Sequence, residues 1–152
     1  MRRLAVVGVG SPFGEDTLGW QAVDALTGTL DWPGWQVRYD KADRPGTRLL
    51  ELFGDADAAV LLDALLAGDT PGRVRLVQPE ELALLGDRTS SHALGVAEVL
   101  ALGDRLGMLP ERLWIIGLTP GELDPAGLAA VLDGLRPEGS DESVARPFTR
   151  RD

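Results

Sequence analysis

Three short segments of the chain carry the side chains that could do chemistry. The one histidine, His92, stands in the segment 90–95 after two serines. Glu15 and Asp16 follow a glycine-rich turn, and Asp63 closes the apolar run 58–62. One imidazole and two carboxylates leave open coordination positions and suit a divalent metal such as nickel or zinc. The sequence contains no cysteine, which excludes thiolate catalysis, iron–sulfur clusters and cysteine zinc sites.

Each of these side chains also has a purely structural explanation. Acids such as Glu15 and Asp16 favour a helix N-terminus, where they cap backbone amides and face the positive end of the helix dipole. Asp63 can cap the segment that follows it or pair with an arginine. A lone histidine such as His92 is more often hydrogen-bonded than metal-bound. The case for a metal site therefore rests on the three side chains occurring together.

Composition limits the class of partner and the compartment. The 152 residues include 24 acids and 15 bases, giving a net charge of −9, so the protein's own field opposes binding to nucleic acid. The apolar run after Met1 is too short for a signal peptide or a membrane span. The length is that of one domain. We therefore expect a cytoplasmic, monomeric protein that binds neither nucleic acid nor membranes.

Short apolar runs alternate with amphipathic stretches along the chain. The runs predict buried strands at Leu4–Val9, Trp35–Tyr39, Ala58–Leu62, Val74–Val77 and Leu113–Leu118. The amphipathic stretches predict four helices: one begins at Asp16 and ends before Gly28, and the others span Thr47–Phe53, Ala93–Leu106 and Pro125–Leu135. The stretch Pro79–Leu85 predicts a turn or a short helix. This alternation predicts an α/β fold, a single three-layer domain over residues 1–136 with a mostly parallel twisted sheet of about five strands between helices. Residues 137–152 lack apolar periodicity, which predicts a disordered tail.

The carboxyl edge of a parallel sheet is where ligand crevices form, and Asp63 and the turn after the first strand both reach that edge. A dinucleotide site fits this turn poorly, because Phe13 occupies the place of the third glycine of the fingerprint. The carboxylates of Glu15 and Asp16 would also repel a pyrophosphate. A metal-free serine hydrolase is disfavoured because the sequence has no G-x-S-x-G elbow.

Four segments, in this order and at this spacing, resemble those of the hydrogenase maturation endopeptidases, which trim the C-terminus of the large subunit of [NiFe] hydrogenases after nickel insertion. They are Gly8-Val9-Gly10-Ser11-Pro12 followed by Glu15, Asp16 and Gly19; Leu61-Leu62-Asp63-Ala64; Ser90-Ser91-His92-Ala93-Leu94-Gly95 with Val99 and Leu100; and Ile116-Gly117-Leu118-Thr119-Pro120. The resemblance covers about residues 3 to 136.

The resemblance implies that Asp16, Asp63 and His92 bind the metal and form the catalytic site, with Gly19 selecting Asp16 over Glu15 by its spacing. It implies nickel carried by the substrate, with zinc or cadmium as possible surrogates, and the [NiFe] hydrogenase large-subunit precursor as partner. Two hydrolytic routes stay open: a metal can polarise the scissile carbonyl or activate a bound water, or an aspartate can act as general base. A non-catalytic metal-dependent binding or chaperone protein of hydrogenase assembly is the alternative function.

This chain departs from the family's pattern in two places. Ser11 stands where the family usually has asparagine, and the first loop is one residue shorter. The family's Asp-Gly-Gly-Thr stretch, tied to substrate recognition, is replaced by the segment 41–47, KADRPGT. By position, the resemblance implies that Asp43 and Arg44 contact the substrate.

Overall fold

The computed structural model describes residues 1–11, 17–66, 70–88, 91–137 and 148–149. Within these ranges the strands are β1 (Arg2–Gly10), β2 (Trp35–Asp43), β3 (Ala58–Asp63), β4 (Val74–Val77), β5 (Arg112–Leu118) and β6 (Phe148–Thr149). The helices are α1 (Leu18–Leu26), α2 (Arg48–Phe53), α3 (Pro79–Arg88), α4 (Ser91–Leu106) and α5 (Pro125–Leu135).

The strands form one sheet in the order β2-β1-β3-β5-β4, with β6 also paired to β5. The pairs β1–β2, β1–β3 and β3–β5 are parallel, whereas β4 and β6 run antiparallel to β5. All six residues of β3 are buried, as expected for a central strand covered on both faces. The parallel strands therefore bring their carboxyl ends to one edge of the sheet.

Helices cover both faces of the sheet, because side chains of alternate strand residues point to opposite faces. Ala5, Val7 and Val9 of β1 pack with α2, α3 and α4 in one core. Leu4 and Val6 of the same strand pack with α1 and α5 in the other. The predicted three-layer α/β fold is confirmed.

Several elements extend beyond their predicted bounds, among them β1, which runs from Arg2 to Gly10. β2 continues past Tyr39 to Asp43 because its polar end is paired with β1, up to Gly10 opposite Asp43. α3 runs to Arg88 instead of ending as a turn near Leu85. Hydropathy gave no signal for either extension, because backbone pairing and helix hydrogen bonds need no apolar side chain. α4 begins at Ser91, two residues before the predicted start.

β6 falls inside the segment 137–152 that was predicted to be a disordered tail. Phe148 and Thr149 pair with Leu113 and Arg112, so these two residues add a short strand to β5. Backbone pairing again explains the difference, because it does not depend on apolar periodicity. Residues 138–147 and 150–152 lie outside the described residues, where the tail stays a prediction. In the described part of the chain, no helix is long and apolar enough to cross a membrane.

Candidate functional site at the carboxyl edge of the sheet

Asp63 is the last residue of β3, in the middle of the carboxyl edge. Its Cα lies opposite that of Gly117 in β5, and the residue has no exposed surface. Carboxylate Oδ1 accepts a hydrogen bond of 2.7 Å from the backbone N–H of Ala64. The strand is apolar up to this position, and Asp63 is an acid in a place where burial of a charge is costly. Such a position is typical of a functional carboxylate.

The beginning of α1 lies directly on the strand ends beside Asp63. A Cβ atom at Gly19 would come within 2.7 Å of the carbonyl oxygen of Leu62 and still closer to that of Val9. Only glycine permits this approach. Asp16 itself lies outside the described residues, but Thr17, the first described residue after it, leads into α1 at this edge.

The loop after β2 reaches the same edge. Asp43 is paired with Gly10 in the ladder, and the backbone N–H of Arg44 donates a 2.7 Å hydrogen bond to the carbonyl oxygen of Gly10. Arg44 has a φ of 67°, in the left-handed region that side chains other than glycine rarely adopt. The side chains of Asp43 and Arg44 are 52% and 64% exposed and 3.6 Å apart. Both are therefore available to a ligand beside the end of β1.

The first turns of α4 pack against this loop. A Cβ atom at Gly95 would lie 2.8 Å from Cγ of Pro45. His92, the second residue of α4, precedes Gly95 by three residues, about one helical turn. The backbone of α4 thus begins next to the loop that carries Asp43 and Arg44.

Trp20 fixes the ends of β1 and β2 and was missed by the sequence analysis. Its indole Nε1 donates a 2.9 Å hydrogen bond to the carbonyl oxygen of Ala42. Its ring covers Gly10, where a Cβ atom would come within 2.7 Å of the indole. The signal in the sequence was a tryptophan next to Gly19 together with a glycine ending the first strand. Neither is a reactive group, so neither residue predicted a role at this edge.

Thr119 directly follows β5, the strand next to β3, and is buried. Its backbone N–H and its hydroxyl both donate to the carbonyl oxygen of Arg73, at 3.0 and 3.2 Å. This ties the chain after β5 to the start of β4. Val77 packs closely against Gly117, which lies opposite Asp63. A Cβ atom added at Gly117 would lie 2.7 Å from a methyl group of Val77. The residues around Asp63 on this side are therefore structural.

The predicted metal set is described only in part. Among the residues whose side chains the structure describes, no three histidine, aspartate or glutamate side chains form a group that could hold a metal. Asp16 lies outside the described residues, and of His92 the structure describes the helical position. The assignment of Asp16, Asp63 and His92 to metal binding and catalysis therefore stays a prediction. In electrostatic terms, the edge offers one buried carboxylate flanked by one exposed acid and one exposed base.

The fold and this edge define an α/β domain with acidic residues, Asp43 and Asp63, at the carboxyl ends of two of its parallel strands. The family model described as hydrogenase maturation protease, HycI, matches residues 42–132. The hydrogenase 2 maturation protease of Escherichia coli strain K12 is 30% identical over 140 residues, which are 88% of this chain and 83% of that protein. The chain belongs to the hydrogenase maturation protease family.

Solved structures agree with this family. The solution structure of an endopeptidase from E. coli is 28% identical and superposes with a TM-score of 0.68, over 100% of this chain and 99% of that one. The hydrogenase maturating endopeptidase HybD from E. coli is also 28% identical, with a TM-score of 0.63, over 91% of this chain and 94% of the other. The predicted family and peptidase activity are confirmed. Cytoplasmic location and a monomeric state stay predictions of the sequence.

Proposed function

We propose that this peptidase removes the C-terminal extension of a nickel-loaded [NiFe] hydrogenase large-subunit precursor and recognises that precursor through its bound nickel. The name of the E. coli relative, a hydrogenase 2 maturation protease, supports this class of substrate. The observation that carries the proposal is Asp63, fully buried at the carboxyl end of a central parallel strand. The carboxyl ends of parallel strands are where ligands of such sheets bind, and a carboxylate is an oxygen ligand that divalent metals accept.

In this proposal the nickel belongs to the substrate, and Asp16, Asp63 and His92 complete its coordination. Two carboxylates and one imidazole are ligands that nickel accepts, and zinc or cadmium can replace it in a test. The precursor's own ligands hold the metal before docking. Docking on the metal brings the adjoining C-terminal extension to the carboxyl edge, so only a loaded precursor is positioned for cleavage.

We propose an aspartic-type hydrolysis step at the same edge. A carboxylate accepts a proton from a water molecule as its oxygen attacks the scissile carbonyl carbon. The tetrahedral intermediate then collapses, the C–N bond breaks, and the proton passes to the leaving amine. Asp16 or Asp63 takes this role through a carboxylate oxygen that is not bound to the metal. Asp43 and Arg44, exposed beside the end of β1, contact the substrate chain near the cleavage position.

The test is cleavage of the nickel-loaded precursor, followed by intact mass measurement. Wild-type protein releases the extension, whereas Asp16→Asn, Asp63→Asn and His92→Ala lose most of the activity, by about 100-fold or more if they position the reacting groups. Glu15→Gln is the matched control next to Asp16, and it retains activity. Equal losses in Glu15→Gln and Asp16→Asn would show that the acid was assigned incorrectly. Full activity of Asp63→Asn would remove the observation on which the site rests.

A further inference from the structure

The outer edge of β2 is the longest strand edge of the sheet without a neighbouring strand in the described residues. β2 has nine residues and lies at the end of the strand order. At the opposite end of the sheet, the outer edge of β5 is covered by β4 along residues 115–118 and by β6 at residues 112–113. An unpaired strand edge is a template for another extended chain.

The alternation of backbone groups identifies which amides of β2 face outward. In a strand, the N–H and C=O of one residue point to the same side, and successive residues point to opposite sides. The carbonyl oxygen of Gly34 accepts a hydrogen bond from the backbone N–H of Arg2, and the backbone N–H of Arg44 donates to the carbonyl oxygen of Gly10. The backbone groups of the even-numbered residues therefore face β1. Odd-numbered residues therefore face outward. Of these, the amide of Trp35 already donates to the carbonyl oxygen of Trp32, whereas the amides of residues 37, 39, 41 and 43 have no backbone acceptor among the described residues.

This edge leads to the candidate site. Its last residue, Asp43, adjoins Arg44 and lies opposite Gly10 at the end of β1. Strands are spaced by about 4.8 Å, so a chain paired with β2 would lie about 14 Å from the line of β3, three spacings away. About four or five extended residues cross that distance. A peptide leaving the edge at Asp43 can therefore reach Asp63.

Charged side chains along β2 explain why copies of the protein need not pair through this edge. Lys41 forms a 2.8 Å ion pair with Asp24, and Arg38 forms a 3.1 Å ion pair with Asp40. Charges on an edge strand, lysine above all, oppose self-association. They do not block the backbone groups, because the side chains of a strand stand perpendicular to the sheet.

We propose that the protease binds the extended segment next to the scissile bond as an added strand on the outer edge of β2. The inference rests on the proposed function, since the occupant is the C-terminal extension of the precursor. Main-chain hydrogen bonds to the outward amides supply affinity that depends little on the sequence of the extension, as in other cases of strand addition. The side chains at Asp43 and Arg44 then read the residues that cross toward Asp63.

Residue-resolved amide hydrogen exchange tests this mode of binding. Wild-type protein is measured with and without an excess of nickel-loaded precursor, by labelling pulses shorter than one turnover so that the complex is not consumed, and cleavage is measured in parallel. We expect at least tenfold slower exchange at Val37, Tyr39 and Lys41 on binding, with little change at the neighbouring Arg38 and Asp40, which already pair with β1.

The outcomes separate the two proposals. Binding and cleavage without protection of the odd-numbered amides would overturn strand addition and leave the proposed function intact. A precursor that is neither bound nor cut would overturn both. If protection of these amides grows with protein concentration in the absence of precursor, the edge pairs with a second copy, and strand addition by substrate is wrong.

A proline substitution gives a second test that does not need exchange data. Lys41→Pro removes one outward N–H and leaves the hydrogen bonds between β2 and β1 in place. An edge strand tolerates proline at a position whose N–H faces away from the sheet. It should raise KM about three- to tenfold, the range for one lost hydrogen bond, without a matching fall in kcat. Asp24→Ala removes the same ion pair with Lys41 but keeps its amide, and it should leave KM unchanged. An unchanged KM in folded Lys41→Pro would contradict the proposal.

Discussion

Gly19→Ala tests the contact between α1 and the strand ends most sharply. The added Cβ atom meets the backbone oxygens of Val9 and Leu62, neither of which can rotate away. Alanine is favoured over glycine inside a helix by about 1 kcal/mol, while overpacking costs about 1–3 kcal/mol. Two backbone contacts place the cost at the upper end, so we expect a net loss of about 2 kcal/mol of unfolding free energy. In a domain of this size that lowers Tm by about 4–8 °C.

Gly134→Ala is the matched control, because Gly134 also lies in a helix but has no heavy atom within 4 Å of the added Cβ. It should raise the unfolding free energy by up to about 1 kcal/mol. Both variants are compared by urea denaturation, and cleavage of the precursor is assayed well below Tm. Gly19→Ala should also lose activity at that temperature, because it displaces the start of α1 from the strand ends beside Asp63. If Gly19→Ala is as stable and active as Gly134→Ala, the close approach is wrong.

Three further changes probe the surroundings of the site and the fold. Arg44→Gly should be about 1 kcal/mol more stable than Arg44→Ala in urea denaturation, because only glycine relieves the left-handed backbone; equal stabilities would contradict this strain. Trp20→Phe should cost about 1 kcal/mol by losing the bond to Ala42, and an unchanged midpoint would count against that bond. Burial raises the pKa of Glu81, but hydrogen bonds from Arg75 and the amide of Gln78 outweigh it and lower the pKa below 4.5. Ionised Glu81 therefore stabilises the fold above pH 4.5. The difference in unfolding free energy between wild type and Glu81→Gln should disappear as the pH falls below 4.5 through the lowered pKa. A difference that persists in acid would refute this role of ionised Glu81.

The sequence predicted the layers of the fold well because buried faces of strands and helices require apolar residues at regular spacing. β3 is apolar at every position before Asp63, and α5 begins and ends at the predicted Pro125 and Leu135. The polar end of β2 was missed, because Lys41 and Asp43 join the sheet through backbone pairing with β1. The same physical reason explains β6.

The site was predictable to the extent that its residues are reactive. Asp63 was found because an acid after an apolar strand needs a reason to be buried, and the structure places it at the carboxyl edge. Trp20 and the left-handed backbone of Arg44 were missed. Their roles depend on distances between segments remote in sequence, which a pattern along one segment cannot report.

Binding of nickel-loaded and metal-free large-subunit precursor, measured by calorimetry on the same preparation, tests directly whether the protease recognises the metal. We expect tight binding and cleavage of the loaded precursor alone, with Asp63→Asn and His92→Ala removing the preference for nickel. Equal affinity for both precursors and equal cutting of both would contradict recognition through the metal.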